Sequence, residues 1–270
     1  MAPQSPSWLE VVPGRGGLIT QWQVQGQDLL YLDRERFADL SLSVRGGIPI
    51  LFPICGNMPD NVYEVEGRSF QLKQHGFARD LPWQVQEQTP TQLRLTLESQ
   101  PATLVQYPFP FQLQVTYTLA GNALILNQRV LNRGAQPMPF CWGLHPYFAV
   151  AEKTGLRVEI PATEFQDQIT QQRHAFEGHL DWEAEELDLA FAPLTASTAA
   201  LVDPHRNLKI TLSFDADFST LVVWAVKGKP YCCLEPWSAP RNALNTRQQL
   251  LTVPPWGAWE AGITLTVSAL

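Results

Sequence analysis

The sequence predicts an all-β fold, either a large sandwich or a barrel, and three observations carry that expectation. The dominant hydrophobic period is two, helical periodicity is almost absent, and the 22 prolines and 17 glycines are spread along the chain instead of gathered into a linker. A parallel βαβ architecture has no sequence left for crossover helices. The expectation is one domain over residues 1–270, because all-β domains reach this length as one unit.

The clearest strand lies at 111–119. Phe111, Leu113, Val115, Tyr117 and Leu119 alternate with Gln112, Gln114, Thr116 and Thr118, so one face is apolar and the other polar. Ala120-Gly121-Asn122 reads as a tight turn, and Ala123 to Val130 returns as the second strand of a hairpin. Further short strands are expected at Leu93–Leu97, Leu156–Ile160, Leu208–Phe214, Thr220–Val226, Tyr231–Leu234 and Ile263–Val267, all rich in residues that suit a pleated surface. The best helical candidate is Asp181–Leu189, which is short and acidic.

Composition narrows the function classes. Hydrophobic residues make up 45% and charged residues only 17%, which supports a sizeable core and argues against disorder. The net charge of −7 argues against a nucleic-acid partner, which would meet a basic surface. An anionic small molecule would need local arginines. The start, Met1-Ala2-Pro3-Gln4-Ser5-Pro6, lacks the basic-then-apolar pattern of a secretory signal, and no run of about 18 apolar residues suggests a membrane span. A cytoplasmic location is expected. Cys55, Cys141, Cys232 and Cys233 show no paired Cys-x-x-Cys spacing and read as buried free thiols, with Cys232 and Cys233 on opposite faces of a strand.

Three segments could carry chemistry. In Gln74-His75-Gly76-Phe77-Ala78-Arg79-Asp80, the glycine allows a ligand close to the backbone beside an imidazole; a loop histidine satisfied by a neighbouring carbonyl is the plainer reading. His145 is the only residue in the aromatic stretch from Phe140 to Phe148 whose side chain ordinarily titrates near neutral pH. Such surroundings disfavour the imidazolium and a nearby carboxylate favours it, so His145 is either a proton carrier or a buried structural histidine. Glu235 ends an apolar run ahead of Pro236. The proline should stop the strand and put Glu235 at a sheet rim, where partial desolvation would make it a better base, or simply in solvent. Trp237 offers a flat face to a sugar or to the core. Arg45, before Gly46-Gly47, could fork onto a hydroxyl or phosphate; Arg79 could do the same or pair with Asp80.

Other chemistries lack their motifs. Gly-x-x-x-x-Gly-Lys-Ser/Thr, Gly-x-Gly-x-x-Gly, His-Glu-x-x-His and Gly-x-Ser-x-Gly are all absent. His174 and His179 are spaced for neither a helical nor a strand metal pair. A carboxylate pair for glycoside hydrolysis stays open on residue counts alone.

Taken in order, Arg45-Gly46-Gly47-Ile48-Pro49 with Phe52-Pro53, His75 through Trp83, Gly143-Leu144-His145-Pro146-Tyr147-Phe148 and Glu235-Pro236-Trp237 resemble the aldose 1-epimerase (mutarotase) superfamily. The first two segments look like its hexose-6-phosphate branch. The last two, and the stretch after Glu235, look like the general epimerases. The resemblance implies a large antiparallel β-sandwich of the galactose mutarotase type and interconversion of the α and β anomers of a hexose or hexose 6-phosphate. It implies His145 and Glu235 as catalytic residues, His75 as a substrate contact, and Arg45 and Arg79 on the phosphate side. A sugar-binding aspartate matches Asp188 loosely, with Asp167 and Asp181 as rivals. No metal or cofactor is implied. The expected partner is a sugar or sugar phosphate, with no nucleic acid and no membrane, and the protein a monomer or weak homodimer. The alternative reading is a non-catalytic carbohydrate-binding sandwich.

Overall fold

In a computed structural model, which describes residues 7–270, two antiparallel sheets share one apolar interior. The reading of the N-terminus rests largely on residues 1–6, which lie outside the described residues. The first sheet runs in the order Arg157–Glu159, Thr198–Asp203, Leu208–Phe214, Ala258–Ser268, Ala123–Asn132, Phe111–Ala120, Gln92–Glu98, Gln84–Gln88. The second runs Arg173–Ala175, Glu164–Asp167, Glu186–Phe191, Thr220–Val226, Tyr231–Trp237, Gly143–Leu144, Ile50–Leu51, with Tyr147–Ala149 also paired to Tyr231–Trp237. Leu113, Val115, Leu126, Leu212 and Ile263 from one sheet meet Leu187, Leu189, Leu221, Val223 and Leu234 from the other in a single buried cluster. This is the antiparallel sandwich that period two predicts, and the hairpin pairs Phe111 with Asn132 through Ala120 with Ala123.

Two expectations fail, each for a local reason. Asp181–Leu189 holds no helix: Asp181 accepts the Glu183 N–H in a turn, and Glu186–Phe191 is a strand. Leu187, Leu189 and Phe191 alternate inward there, while the acidic residues that imitate a helical face lie on the other side or in the turn. Nor does Pro236 end its strand, which runs on to Trp237. On one edge that strand pairs at Tyr231–Cys233 with Tyr147–Ala149 and at Trp237 with Gly143, which leaves residues 234–236 opposite a break. A residue without an N–H is tolerated at such a gap. Glu235 therefore sits within the sheet and is 1% exposed, neither at a rim nor in solvent.

The strand Tyr231–Trp237 is buried on both faces. Cys232 and Leu234 enter the sandwich interior, while Tyr231, Cys233, Glu235 and Trp237 face outward under a second cover. All four cysteines are free and buried. Among the described residues no helix is long and apolar enough to cross a membrane. The short helix Arg34–Ala38 begins at Asp33, whose carboxylate accepts the Arg36 N–H at 3.0 Å. Buried Arg15 ties the end of this helix to the next turn by donating to the carbonyls of Phe37, Asp39 and Leu42, and this braces the loop that ends in Arg45.

Candidate active site

His75 is positioned by a turn that only particular residues can make. Both His75 (φ 65°) and Gly76 (φ 69°) are left-handed. A Cβ on Gly76 would collide with the Phe52 carbonyl oxygen, so glycine is required there. The His75 N–H donates to the Gly56 carbonyl at 2.7 Å, and the Gly56 N–H donates back to His75 Nδ1 at 3.0 Å. The ring is thus satisfied by a backbone donor, not by the carbonyl expected for a plain loop histidine. Burial, then the nearby Arg79 charge, pushes its pKa well below the usual value, so the ring is neutral. With Nδ1 accepting, the proton resides on Nε2.

His145 projects from the break between Gly143–Leu144 and Tyr147–Ala149. Its N–H donates to the Pro49 carbonyl at 3.0 Å. Its ring stacks on Tyr147 with centroids 4.6 Å apart and planes 7° apart, and meets the edge of Trp224. These contacts hold Nε2 3.4 Å from Oε1 of Glu235. The other carboxylate oxygen accepts from Trp237 Nε1 at 3.1 Å. Desolvation dominates both groups. It lowers His145 to about 3, helped by Arg79, and raises Glu235 well above the usual carboxylate range, helped by Asp188. Both shifts favour the uncharged pair. That pair contains the same single proton as imidazolium plus carboxylate, so one proton is shared between two atoms in near contact.

Asp188 comes from Glu186–Phe191, two strands from Glu235, and lies opposite Trp224 in register. Arg241 grips its two oxygens at 2.8 and 2.6 Å and donates to Asn57 Oδ1 at 3.1 Å. Burial raises the Asp188 pKa against the pull of that guanidinium. The rival carboxylates serve turns: Asp167 accepts from the Ile169 and Thr170 N–H groups, and Asp181 from Glu183. Arg79 does not pair with Asp80, which binds Lys73 at 2.7 Å; it donates to the Gln74 carbonyl at 3.1 Å. The Arg45 guanidinium lies over the Trp224 ring, 5.5 Å from its centroid.

One cavity of ≈ 370 Å³ is lined by all seven residues singled out from the sequence: Arg45, His75, Arg79, His145, Asp188, Glu235 and Trp237. Larger hollows of ≈ 840 and ≈ 700 Å³ exist, but neither brings together a buried acid and base. The sequence reading missed Arg241, Tyr147 and Trp224. Arg241 had one visible signal, as the only charged residue between Glu235 and Arg247. Among the described residues, His145, Cys233 and Glu235 form a group with metal-ligating atoms within 4.8 Å of one another. Burial and the Glu235 charge push the Cys233 thiol well up, which keeps it protonated and a weak ligand.

Comparison with known proteins places the chain in a family and a fold. The family model described as "Aldose 1-epimerase" matches residues 10–265. The crystal structure of the Slr1438 protein from Synechocystis sp. PCC 6803 is 51% identical, with a TM-score of 0.97 over 100% of this chain and 94% of that one. A galactose mutarotase-like protein from Clostridium acetobutylicum, 18% identical, shares the fold with a TM-score of 0.83 over 98% of this chain and 93% of its own. A Cenchrus ciliaris protein named "Putative glucose-6-phosphate 1-epimerase" is 25% identical over 93% of this chain and 75% of its own length.

Proposed function

The chain belongs to the aldose 1-epimerase family, and on that premise we propose that it is a mutarotase acting on a hexose or hexose 6-phosphate, with Glu235 and His145 as its acid–base pair. The single observation that carries the reading is the separation of 3.4 Å between Glu235 Oε1 and His145 Nε2 at a polar cavity. An anomeric carbon bears its hydroxyl oxygen and its ring oxygen on one atom. A base for the first and an acid for the second must therefore stand side by side.

The proton inventory then closes by itself. With the shared proton on His145, Glu235 takes the proton from the anomeric hydroxyl and His145 protonates the ring oxygen. The C1–ring oxygen bond breaks, leaving the aldehyde. Rotation about C1–C2 presents the other face of the carbonyl. On reclosure the ring hydroxyl returns its proton to His145, and Glu235 returns one to the new anomeric oxygen. The pair ends with the single proton it began with. Positioned acid–base groups typically contribute about 10²–10⁴-fold each.

The other lining residues orient the sugar. Neutral His75, with its proton on Nε2, is a hydrogen-bond donor. Asp188, held by Arg241, is an acceptor for sugar hydroxyls. Trp237 fixes the Glu235 carboxylate from behind. Arg45 and Arg79 carry charge with no carboxylate bound to it, which suits the phosphate of a hexose 6-phosphate. The name of the Cenchrus relative is in keeping with that choice. We take the protein to work as one cytoplasmic domain, as a monomer or weak homodimer. Anomer exchange followed by magnetisation-transfer NMR with glucose, galactose and glucose 6-phosphate tests the reading. Acceleration of at least one is expected; acceleration of none would favour a binding protein.

A further inference from the structure

A second hollow of ≈ 700 Å³ lies across Trp237 and Arg241, which line both cavities. Its chemistry differs from that of the first. The charged pairs are already made: Arg173 with Glu164 at 3.4 Å, and Arg241 with Asp188 at 2.6 Å. What remains is amide, with Asn57, Gln166, Gln168 and Gln249 among the lining, and apolar surface from Phe165, Pro240 and Trp237. Side-chain amides both donate and accept, as sugar hydroxyls do, and aromatic faces suit the C–H side of a sugar ring.

Two buried polar atoms here have no hydrogen-bond partner among the described residues. Thr220 is 1% exposed and lies opposite Trp237 in register; its Oγ1 bonds to nothing, and neither does Arg241 Nε. Buried groups left unpaired are rare enough to need a reason. Around the same hollow Gln171, Asn242 and Gln249 all adopt left-handed backbone without being glycine, a strain that gathers at ligand sites.

We propose that this hollow is a second, non-catalytic saccharide site that takes a neutral sugar unit. An anion is disfavoured, because Arg173 and Arg241, the two cations of this hollow, each already hold a carboxylate. An occupant would touch Trp237, whose indole N–H holds Glu235, so the second site abuts the chemistry without joining it. The site is defined by its own lining and is independent of anomer exchange.

Titration with maltose, followed by two-dimensional amide NMR, tests it. Saturable shifts are expected at Gln168 and Thr220, and they should persist in Glu235→Gln. Thr220→Val and Gln168→Ala should each weaken that binding at least tenfold. Thr220→Val should not lower the melting temperature, since the hydroxyl bonds nothing in the free protein. Gln168 is only half-buried, so its variant tests the site even if the buried one folds poorly. Absence of saturable shifts, unchanged affinity in Gln168→Ala, or displacement of maltose from these residues by inorganic phosphate would each overturn the proposal. A protein inactive toward every hexose, yet showing these shifts, would leave it standing.

Discussion

His145→Asn should change how stability depends on pH. The folded protein holds His145 at about 3, whereas an unfolded histidine titrates near 6.5. Between those values the unfolded chain binds a proton that the folded chain refuses, so stability falls as pH falls. Each pH unit in this window costs about 1.4 kcal/mol, and the drop from pH 7 to pH 4 costs roughly 3 kcal/mol at this one residue. For a chain of this size that amounts to roughly 10 °C in midpoint. His75 is depressed in the same direction, and many carboxylates also titrate there, but they are common to both proteins. Arg79, Arg241, Arg45, Glu235, Tyr147 and Trp224, the groups that face or surround His145, also remain in the variant. Equilibrium urea unfolding of wild type and His145→Asn at pH 7 and pH 4 isolates the difference. The variant should lose roughly 3 kcal/mol less than wild type over that interval. Parallel losses would refute the claim that burial keeps His145 neutral.

Glu235 has the opposite sign. Its folded pKa is raised, so above the ordinary carboxylate value the unfolded chain releases a proton that the folded chain keeps and stability falls as pH rises; Glu235→Gln should therefore gain stability over wild type from pH 5 to pH 8, measured by thermal unfolding. Gly76→Ala should cost about 3 kcal/mol or more, because it combines a left-handed residue with a clash against the Phe52 carbonyl; calorimetry reads the loss, and an unshifted midpoint would contradict the turn assignment. Arg79→Gln should lower kcat/KM for glucose 6-phosphate roughly tenfold or more while changing that for glucose far less, since one charge-assisted contact is removed. Equal losses on both sugars would move the phosphate elsewhere.

The alternation at 111–132 was readable because a hairpin is local: both faces and the turn are written within about twenty residues. The burial of Glu235 was not. It depends on His75, His145 and Trp224 arriving from other segments to cover the strand, and on a sheet break that lets Pro236 continue it. Asp181–Leu189 misled because Glu183, Glu185 and Glu186 imitate a polar helical face, while the apolar alternation begins only at Leu187. The segments around His75, His145 and Glu235, far apart in sequence, meet at one cavity. Arg241 escaped because nothing near it in sequence announces its partner, Asp188, which lies 53 residues away. Of three candidate aspartates only the fold distinguishes Asp188, which lines the cavity that Asp167 and Asp181 do not reach.

Anomer exchange by Glu235→Gln, measured by magnetisation-transfer NMR on the sugar that wild type turns over fastest, tests the acid–base pair most directly. Glutamine keeps the shape and can still face Trp237 and His145, but it cannot carry the proton. The rate should fall about 10²–10⁴-fold while sugar binding stays within a few-fold. A variant that exchanges anomers at the wild-type rate would contradict the assignment of proton transfer to Glu235 and His145.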